Sequence, residues 1–247
     1  MDLQTFFSEF PSVALAFSGG VDSSYLLYAG LHNGATVKAY YVKSAFQPEF
    51  ELEDARRLAK ELNADMKILS MDILSAAGVA ANPADRCYHC KKAIFETIQR
   101  QALADGFTVL ADGSNASDDF DDRPGMKALA ELSVRSPLRE CGITKDEIRR
   151  LSKQAGLFTW DKPAYACLAT RIPAGTTITS ELLRKVESSE DILFSMGFTD
   201  LRVRVLNGAA RIQVPLAQMH RMIEYKEQVL QAVGPYFSAV LLDLTDR

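Results

Sequence analysis

No run in the sequence approaches the roughly 18 consecutive apolar residues that a membrane-spanning helix needs, so no membrane partner is expected. The opening Met1-Asp2-Leu3-Gln4 lacks the basic and apolar regions of a secretory signal, and a cytoplasmic chain with reduced thiols is expected. Positive charge is also short: 28 Lys and Arg against 32 Asp and Glu give a net charge of −4. That balance disfavours a protein that wraps tRNA or DNA, and nucleic acid is not an expected partner. Internal repeats and low-complexity tracts are absent. With 47% hydrophobic and 24% charged residues, disordered and collagen-like classes are excluded and one or two globular domains are expected. Cysteine is scarce, four in 247 residues. A chain of this size buries roughly three quarters of its unfolded surface and needs neither disulfides nor a structural metal to hold together. Its cysteines therefore require another explanation.

Between Pro11 and Gly156, short aliphatic runs alternate with amphipathic stretches, the grammar of a parallel α/β sheet. Strands are predicted at 13–17, 37–42, 66–71 and 107–111, with helices at 24–32, 48–62 and 91–104. Thr144-Lys145-Asp146-Glu147 opens a further helix by a capping box, and Gly156 ends it. The aperiodic segment 158–175 is predicted to be a long functional loop. Beyond it the pattern changes to a helix at 180–196, a hairpin of 201–205 and 210–214 around Asn207-Gly208, a helix at 216–232 and a strand at 239–244. The boundary is placed between 173 and 179, giving an adenine-nucleotide domain over 1–174 and a smaller α+β domain over 175–247.

The first strand runs into Ser18-Gly19-Gly20-Val21-Asp22-Ser23, and helix-forming residues follow at once. Glycines admit close backbone approach, Ser18 and Ser23 bring hydroxyls, and the helix N-terminus presents unpaired N–H groups to an anion. An Asp among such donors is odd for phosphate alone and makes sense if Mg²⁺ also sits there. The run lacks the Gly-Lys-Ser/Thr ending of the Walker loop, so a kinase or GTPase is not indicated. The competing interpretation is a plain Gly/Ser turn.

Arg86-Cys87-Tyr88-His89-Cys90-Lys91 places a Cys-x-x-Cys just before the helix at 91–104. Two thiols at this spacing can reach one metal, and Arg86, Lys91 and a helix N-terminus would favour their thiolates. A redox pair would need a different βαβ context. A zinc site would want four ligands, and His89 inside the pair is poorly placed to complete one. Cys167 lies in the long loop, and three cysteine ligands leave one iron of a [4Fe–4S] cluster open. Cys141, at a loop-to-helix junction, is expected to be a structural thiol. Arg202 and Arg204 alternate with Val203 on one strand and share a face, which either grips a phosphate or is simply solvated.

The phosphate run resembles the PP-loop of the ATP pyrophosphatases, which adenylate a substrate and release pyrophosphate. Taken with Arg86 to Lys91, Asp112-Gly113-Ser114-Asn115-Ala116-Ser117-Asp118, Arg123-Pro124-Gly125 and Ala166-Cys167-Leu168-Ala169-Thr170-Arg171-Ile172-Pro173, it resembles the LarE family. These are the ATP-dependent sulfur-insertion enzymes of nickel-pincer nucleotide cofactor synthesis. The resemblance spans nearly the whole chain. It implies a parallel-sheet α/β PP-loop domain using ATP, in which Asp22 holds Mg²⁺ and pyrophosphate and Lys91 reaches phosphate. It also implies that Asn115 and Arg123 line the nucleotide and substrate pocket. Main chain from Tyr41 to Ser44 would receive adenine, although that stretch reads equally as a buried strand. Glu190 resembles a family acid near Arg202 and Arg204; Gln213 stands where some members carry an acid. Cys87, Cys90 and Cys167 match the cluster-binding members rather than those with one sacrificial cysteine.

The implied reaction adenylates a carboxylate of a pyridinium dicarboxylate mononucleotide and converts it to a thiocarboxylate with sulfur carried on the three-cysteine cluster and supplied by an external donor. A homo-oligomer, trimer or hexamer, is implied as well. Two rivals are a tRNA thiolase of the same superfamily and a non-catalytic nucleotide-binding or iron–sulfur carrier protein. The first would demand a basic surface that the charge balance does not show. Pyrophosphate release separates the second from every enzyme.

Overall fold

The computed structural model describes residues 1–118 and 124–245. The chain divides into two compact units, Met1–Val79 with Asp85–Ala164, and Ala80–Ala84 with Tyr165–Arg247. Asn82 is buried, and its side-chain amide donates to the carbonyls of Ile172, Pro173 and Thr176 at 3.3, 2.7 and 3.1 Å. These bonds account for a five-residue excursion belonging with the later part of the chain.

The first unit opens with helix α1 (Leu3–Glu9), capped by Asp2, whose carboxylate accepts from the Thr5 N–H. Strand β1 (Ser12–Ala16) leads into α2 (Val21–His32), then β2 (Thr36–Lys43), α3 (Glu49–Glu61), β3 (Asp65–Ser70), α4 (Arg86–Ala104) and β4 (Leu110–Ala111). Among the described residues these strands form one four-stranded parallel sheet in the order β3-β2-β1-β4. Valine, alanine and tyrosine make up most of β1 and β2, and the two strands are buried on both faces, as a sheet covered by helices requires. Leu52, Ala55, Leu58 and Ala59 give α3 its core stripe, and Phe95, Ile98 and Ala102 do the same for α4. Since β2 and β4 flank β1, the loops after β1 and β4 leave the same sheet edge on opposite sides of a switch point, where α/β sheets receive ligands. Helices α5 (Pro124–Glu131), α6 (Pro137–Glu140) and α7 (Lys145–Gln154) complete the unit; Thr144 caps α7 by accepting from the Glu147 N–H.

The second unit carries α8 (Ser180–Ser195), the antiparallel pair β5 (Arg202–Leu206) and β6 (Ala209–Gln213), α9 (Leu216–Glu224), α10 (Lys226–Val233) and β7 (Val240–Leu242). Asn207 and Gly208 turn the hairpin with φ of 49° and 80°. Strand β7 runs parallel to β6, giving the order β5-β6-β7.

Several expectations change. Helices α1, α5 and α6 were not predicted, and the fourth strand shrinks to two residues. The helix expected over 216–232 breaks at Tyr225, which joins Arg221 in packing on Phe198. Cys87 and Cys90 are the second and fifth residues of α4 rather than preceding it, because Asp85 is the N-cap. The long loop holds two short 3₁₀ turns, Phe158–Asp161 and Leu168–Arg171. Arg149 fixes the first by donating to the carbonyls of Trp160 and Lys162 at 2.8 and 3.0 Å.

Asp105, just past α4, ties sheet to helix. It accepts from the Tyr40 hydroxyl at 2.9 Å, Lys67 at 3.1 Å and Gln101 at 2.9 Å, and pairs with Lys38 at 3.2 Å. The Tyr40 hydrogen bond, then Lys67, holds its carboxyl well below the usual range. A pKa lowered on folding stabilises above the unfolded carboxylate value, about 3.9, and that contribution is lost as pH falls through the folded value. The melting-temperature gap between the wild-type protein and Asp105→Asn should therefore be widest near neutrality and narrow steadily below about pH 4, as a calorimetric pH series would show.

Candidate active site

The loop between β1 and α2 is held open by its own side chains. Ser18 and Ser23 hydroxyls lie 3.0 Å apart, the Gly20 N–H donates to the Ser18 hydroxyl at 3.3 Å, and the Ser23 hydroxyl donates to the Gly20 carbonyl at 3.2 Å. Gly20 is the N-cap of α2 and brings no side chain, so no cap side chain occupies the first-turn N–H groups. Gly19 has φ +72° and packs on α3, where an added Cβ would lie 3.2 Å from the Ala55 Cβ. Both constraints exclude an ordinary residue at that point. The result is a short backbone cradle at a helix N-terminus, a geometry that binds phosphate.

Asp22 is the exception among these donors. Its Oδ2 accepts from Lys145 Nζ at 2.6 Å, while its Oδ1 is buried with no hydrogen-bond partner among the described residues. Burial pushes its pKa above the ordinary carboxylate value; Lys145 pulls the other way and the neighbouring Asp118 adds to the rise. A buried carboxylate oxygen without a partner is costly unless something fills the position. A hard cation such as Mg²⁺ fits it.

The segment after β4 presses against this loop. A Cβ on Gly113 would sit 2.9 Å from the Ser23 nitrogen, so these two main chains touch. Asp112 anchors the turn, accepting from the hydroxyls of Ser114 at 2.6 Å and Ser136 at 2.7 Å. Asn115 is buried and caps the next turn, its side-chain oxygen accepting from the Ser117 N–H at 2.8 Å. Ser44 follows β2 and is buried, its hydroxyl donating to the Gln47 side chain at 2.7 Å. The stem of Lys91 lies against Gly125 of α5. Arg123 falls outside the described residues.

Two cations at this loop were missed by sequence reasoning. Besides Lys145 on Asp22, Lys162 Nζ lies 2.6 Å from Asp54 and 3.5 Å from the Gly19 carbonyl. They stand 123 and 143 positions from their loop contacts, and nothing local to either lysine marks it.

Cys87 is exposed and Cys90 half-buried, one turn apart on the same side of α4, with Arg86 Nη2 3.7 Å from the Cys87 sulfur. Two accessible thiols at this spacing suit a soft metal. Cys167, in the second unit, begins a 3₁₀ turn whose main chain is gripped by Arg171, which donates to the carbonyls of Ala166 and Cys167 at 2.6 and 3.3 Å. Among the described residues, no three His, Cys, Asp or Glu side chains are gathered as a metal site. Cys141 packs against the core of the first unit, where burial pushes its thiol up.

The second unit holds a buried charge cluster. Arg171 makes a two-point pair with Glu190, Nε to Oε1 at 2.9 Å and Nη2 to Oε2 at 3.1 Å. Glu190 also accepts from the Val203 N–H at 2.8 Å and from the Tyr165 hydroxyl. The Tyr165 ring stacks beneath both Arg171 and Arg202, at 4.4 and 4.5 Å. Arg202 is 3% exposed, which removes the solvated-face interpretation for it. Arg204 donates to the Thr170 carbonyl at 2.8 Å and to Gln213, which in turn donates to Asp243 at 2.8 Å. Burial, reinforced by Arg171, brings the Arg202 pKa down to about 10 and lowers Arg204 likewise. Arg202 also lies 3.9 Å from Asp200, so the three guanidinium groups of Arg171, Arg202 and Arg204 face Glu190, Asp200 and, through Gln213, Asp243; forked guanidinium donors of this kind can receive an anion.

Gly113→Ala should cut pyrophosphate release about a hundredfold by displacing the Ser23 main chain, with the fold retained. Steady-state release assays beside a thermal melt would check this.

Residues 12–100 match the family described as queuosine biosynthesis protein QueC. An uncharacterized protein of Synechocystis is 37% identical, covering 90% of this chain and 84% of its own. The pyridinium-3,5-bisthiocarboxylic acid mononucleotide synthase of Lactiplantibacillus plantarum is 35% identical over 94% of this chain and 85% of its own. A tRNA-specific 2-thiouridylase of a Thermotoga species is 29% identical over 59% of this chain and 52% of its own. No helix among the described residues is long and apolar enough to cross a membrane. With a phosphate loop at the switch point of a parallel sheet and similarity running through both units, the chain belongs to the LarE family of PP-loop, ATP-dependent sulfur transferases.

Proposed function

We propose that the protein inserts sulfur into a pyridinium dicarboxylate mononucleotide. A substrate carboxylate oxygen attacks the α-phosphorus of ATP, the bond from that phosphorus to the bridging oxygen breaks, and pyrophosphate leaves with the electron pair. The resulting acyl adenylate is attacked at its acyl carbon by a sulfur nucleophile; AMP leaves with the C–O pair and a thiocarboxylate remains. Neither step changes the oxidation state of the substrate carbon.

The observation that carries the ATP half is Asp22, with one carboxylate oxygen held by Lys145 and the other buried with no hydrogen-bond partner among the described residues, beside a helix N-terminus that has no side-chain cap. Mg²⁺ held there would neutralise charge on the departing pyrophosphate. Ser18, Gly19, Gly20 and Ser23 bind phosphate through N–H and hydroxyl groups, main chain near Ser44 receives the adenine, and Lys91, Asn115 and Arg123 complete the pocket. Arg202 and Arg204, with Glu190 fixing their surroundings, take the phosphate of the mononucleotide. Cys87, Cys90 and Cys167 are the residues that would hold a [4Fe–4S] cluster, and such a group would supply the sulfur chemistry of the second half-reaction. Residues 1–174 serve the nucleotide, and residues 175–247 serve the substrate and self-association into a trimer or hexamer. The net charge of −4 supports a small substrate over tRNA in a cytoplasmic setting.

The two half-reactions should separate by mutation. Asp22→Ala is expected to abolish pyrophosphate release while leaving the melting transition in place. Changing Cys87, Cys90 or Cys167 to Ser should lower iron content and thiocarboxylate yield together while pyrophosphate release persists, because oxygen is a poor replacement for thiolate. Cys141→Ser should alter neither. Repeated sulfur transfer by iron-free Cys87→Ser, or loss of one sulfur from Cys167 after a single turnover, would sink the cluster assignment.

Arg202→Ala and Arg204→Ala remove the forked guanidinium donors altogether. A charge-assisted phosphate contact contributes about 1.5–3 kcal/mol, so affinity for the mononucleotide should fall by about one to two orders of magnitude with ATP affinity unchanged. Calorimetric titration of each variant would decide; unchanged mononucleotide binding would place the substrate elsewhere.

A further inference from the structure

Pyrophosphate departs with several negative charges, yet 18–23 contains no cation and one carboxylate. Backbone N–H groups and a helix dipole supply only partial charges. Positive charge has to come from elsewhere in the fold, and two lysines are already at the loop. Lys145 reaches Asp22 at 2.6 Å from the first turn of α7. Lys162 lies 3.5 Å from the Gly19 carbonyl and 2.6 Å from Asp54, the residue preceding the Ala55 against which Gly19 packs. The first lysine therefore meets the C-terminal side of the loop and the second its N-terminal side.

Their main chains are fixed by one element. The Lys145 N–H donates to the Ser117 hydroxyl at 3.0 Å, and Arg149 of the same helix donates to the Lys162 carbonyl at 3.0 Å. The ammonium groups, by contrast, sit on long stems, with the side chains of Lys145 and Lys162 31% and 13% exposed. Both remain within reach of a ligand entering the loop.

We propose that Lys145 and Lys162 are the cationic receptors for departing pyrophosphate. This rests on the assignment of the loop to ATP chemistry above. Before ligand arrives, Asp22 and Asp54 hold the two ammonium groups at the loop. As the bond between α-phosphorus and bridging oxygen breaks, the charge that develops on the leaving group draws both ammonium groups onto phosphate oxygens. They stay protonated, no bond to them forms, and the release of Asp22 Oδ2 leaves that carboxylate free to hold a cation. The lysines thus supply what a Walker loop carries in its own sequence.

The test is titration of inorganic pyrophosphate into the full-length protein with Mg²⁺ present, for wild type, Lys145→Gln, Lys145→Arg, Lys162→Gln and Lys162→Arg, with AMP as the control ligand and a thermal melt for each. Each Gln variant should bind pyrophosphate about ten- to a hundredfold more weakly, with AMP affinity within about twofold of wild type. Each Arg variant should recover most of the loss. Unchanged pyrophosphate binding in both Gln variants, an equal loss in the Gln and Arg variants, or a parallel loss of AMP would overturn the proposal and leave structural ion pairs. If the wild-type protein binds no pyrophosphate, the ATP assignment itself fails and the lysine proposal with it. Lysine effects as expected without any thiocarboxylate product would instead sustain the proposal and count against the substrate assignment alone.

Discussion

A carboxylate placed among phosphate-binding donors and withdrawn from water has to be balanced by charge from another part of the chain. Asp22 is that carboxylate, and Lys145 balances it across 2.6 Å. The requirement reaches well beyond the pair. It sets the start of α7 beside the loop, brings 115–118 with it through the Ser117 contact, and lets Arg149 hold the segment that carries Lys162. A parallel sheet whose order turns at β1 supplies the space, because the loops after β1 and β4 diverge from neighbouring strand ends. The close approach of Gly113 to Ser23 then fixes how the two loops share it.

The second unit solves a different electrostatic problem. Arg171 and Glu190 are both almost wholly removed from water and meet through two hydrogen bonds. Removing either partner of such a pair costs about 3–5 kcal/mol, since the remaining charge is left buried alone. Glu190 further binds the Val203 main chain, so the pair locks α8 to β5 and sets the position of the strand that bears Arg202 and Arg204. The same Arg171 holds the main chain at Cys167. One buried ion pair thus positions both the arginines assigned to substrate phosphate and the thiol assigned to sulfur handling.

Membership of the LarE family gives the cysteines a context that composition alone does not. Cys87 is exposed near the start of α4, whereas Cys90 and Cys141 are both half-buried; what sets Cys141 apart is that it packs against the core of the first unit, where burial pushes its thiol up. Thiols meant for metal or sulfur chemistry need access, and a structural thiol needs the opposite.

Much of this protein is written locally. The alternation of β-branched runs with amphipathic stretches yields the parallel sheet, Ser18 to Ser23 yields the phosphate loop, and Asn207-Gly208 yields the hairpin, because each depends on dihedral preferences and periodicity within a few residues. Helices α5 and α6 escaped because they are short or begin at proline, and the break at Tyr225 escaped because it answers to packing on Phe198. Lys145 and Lys162 carry no sequence mark at all, and only folding puts their charges on Asp22 and Gly19. Burial of Arg202 is likewise invisible in an alternating strand, where either face reads as the solvated one until a second layer covers it. The sequence by itself determined which groups could bind phosphate and sulfur; the tertiary structure decided which charges stand beside them, because electrostatic partnership depends on distance in space and on exclusion of water, and neither is a property of sequence separation.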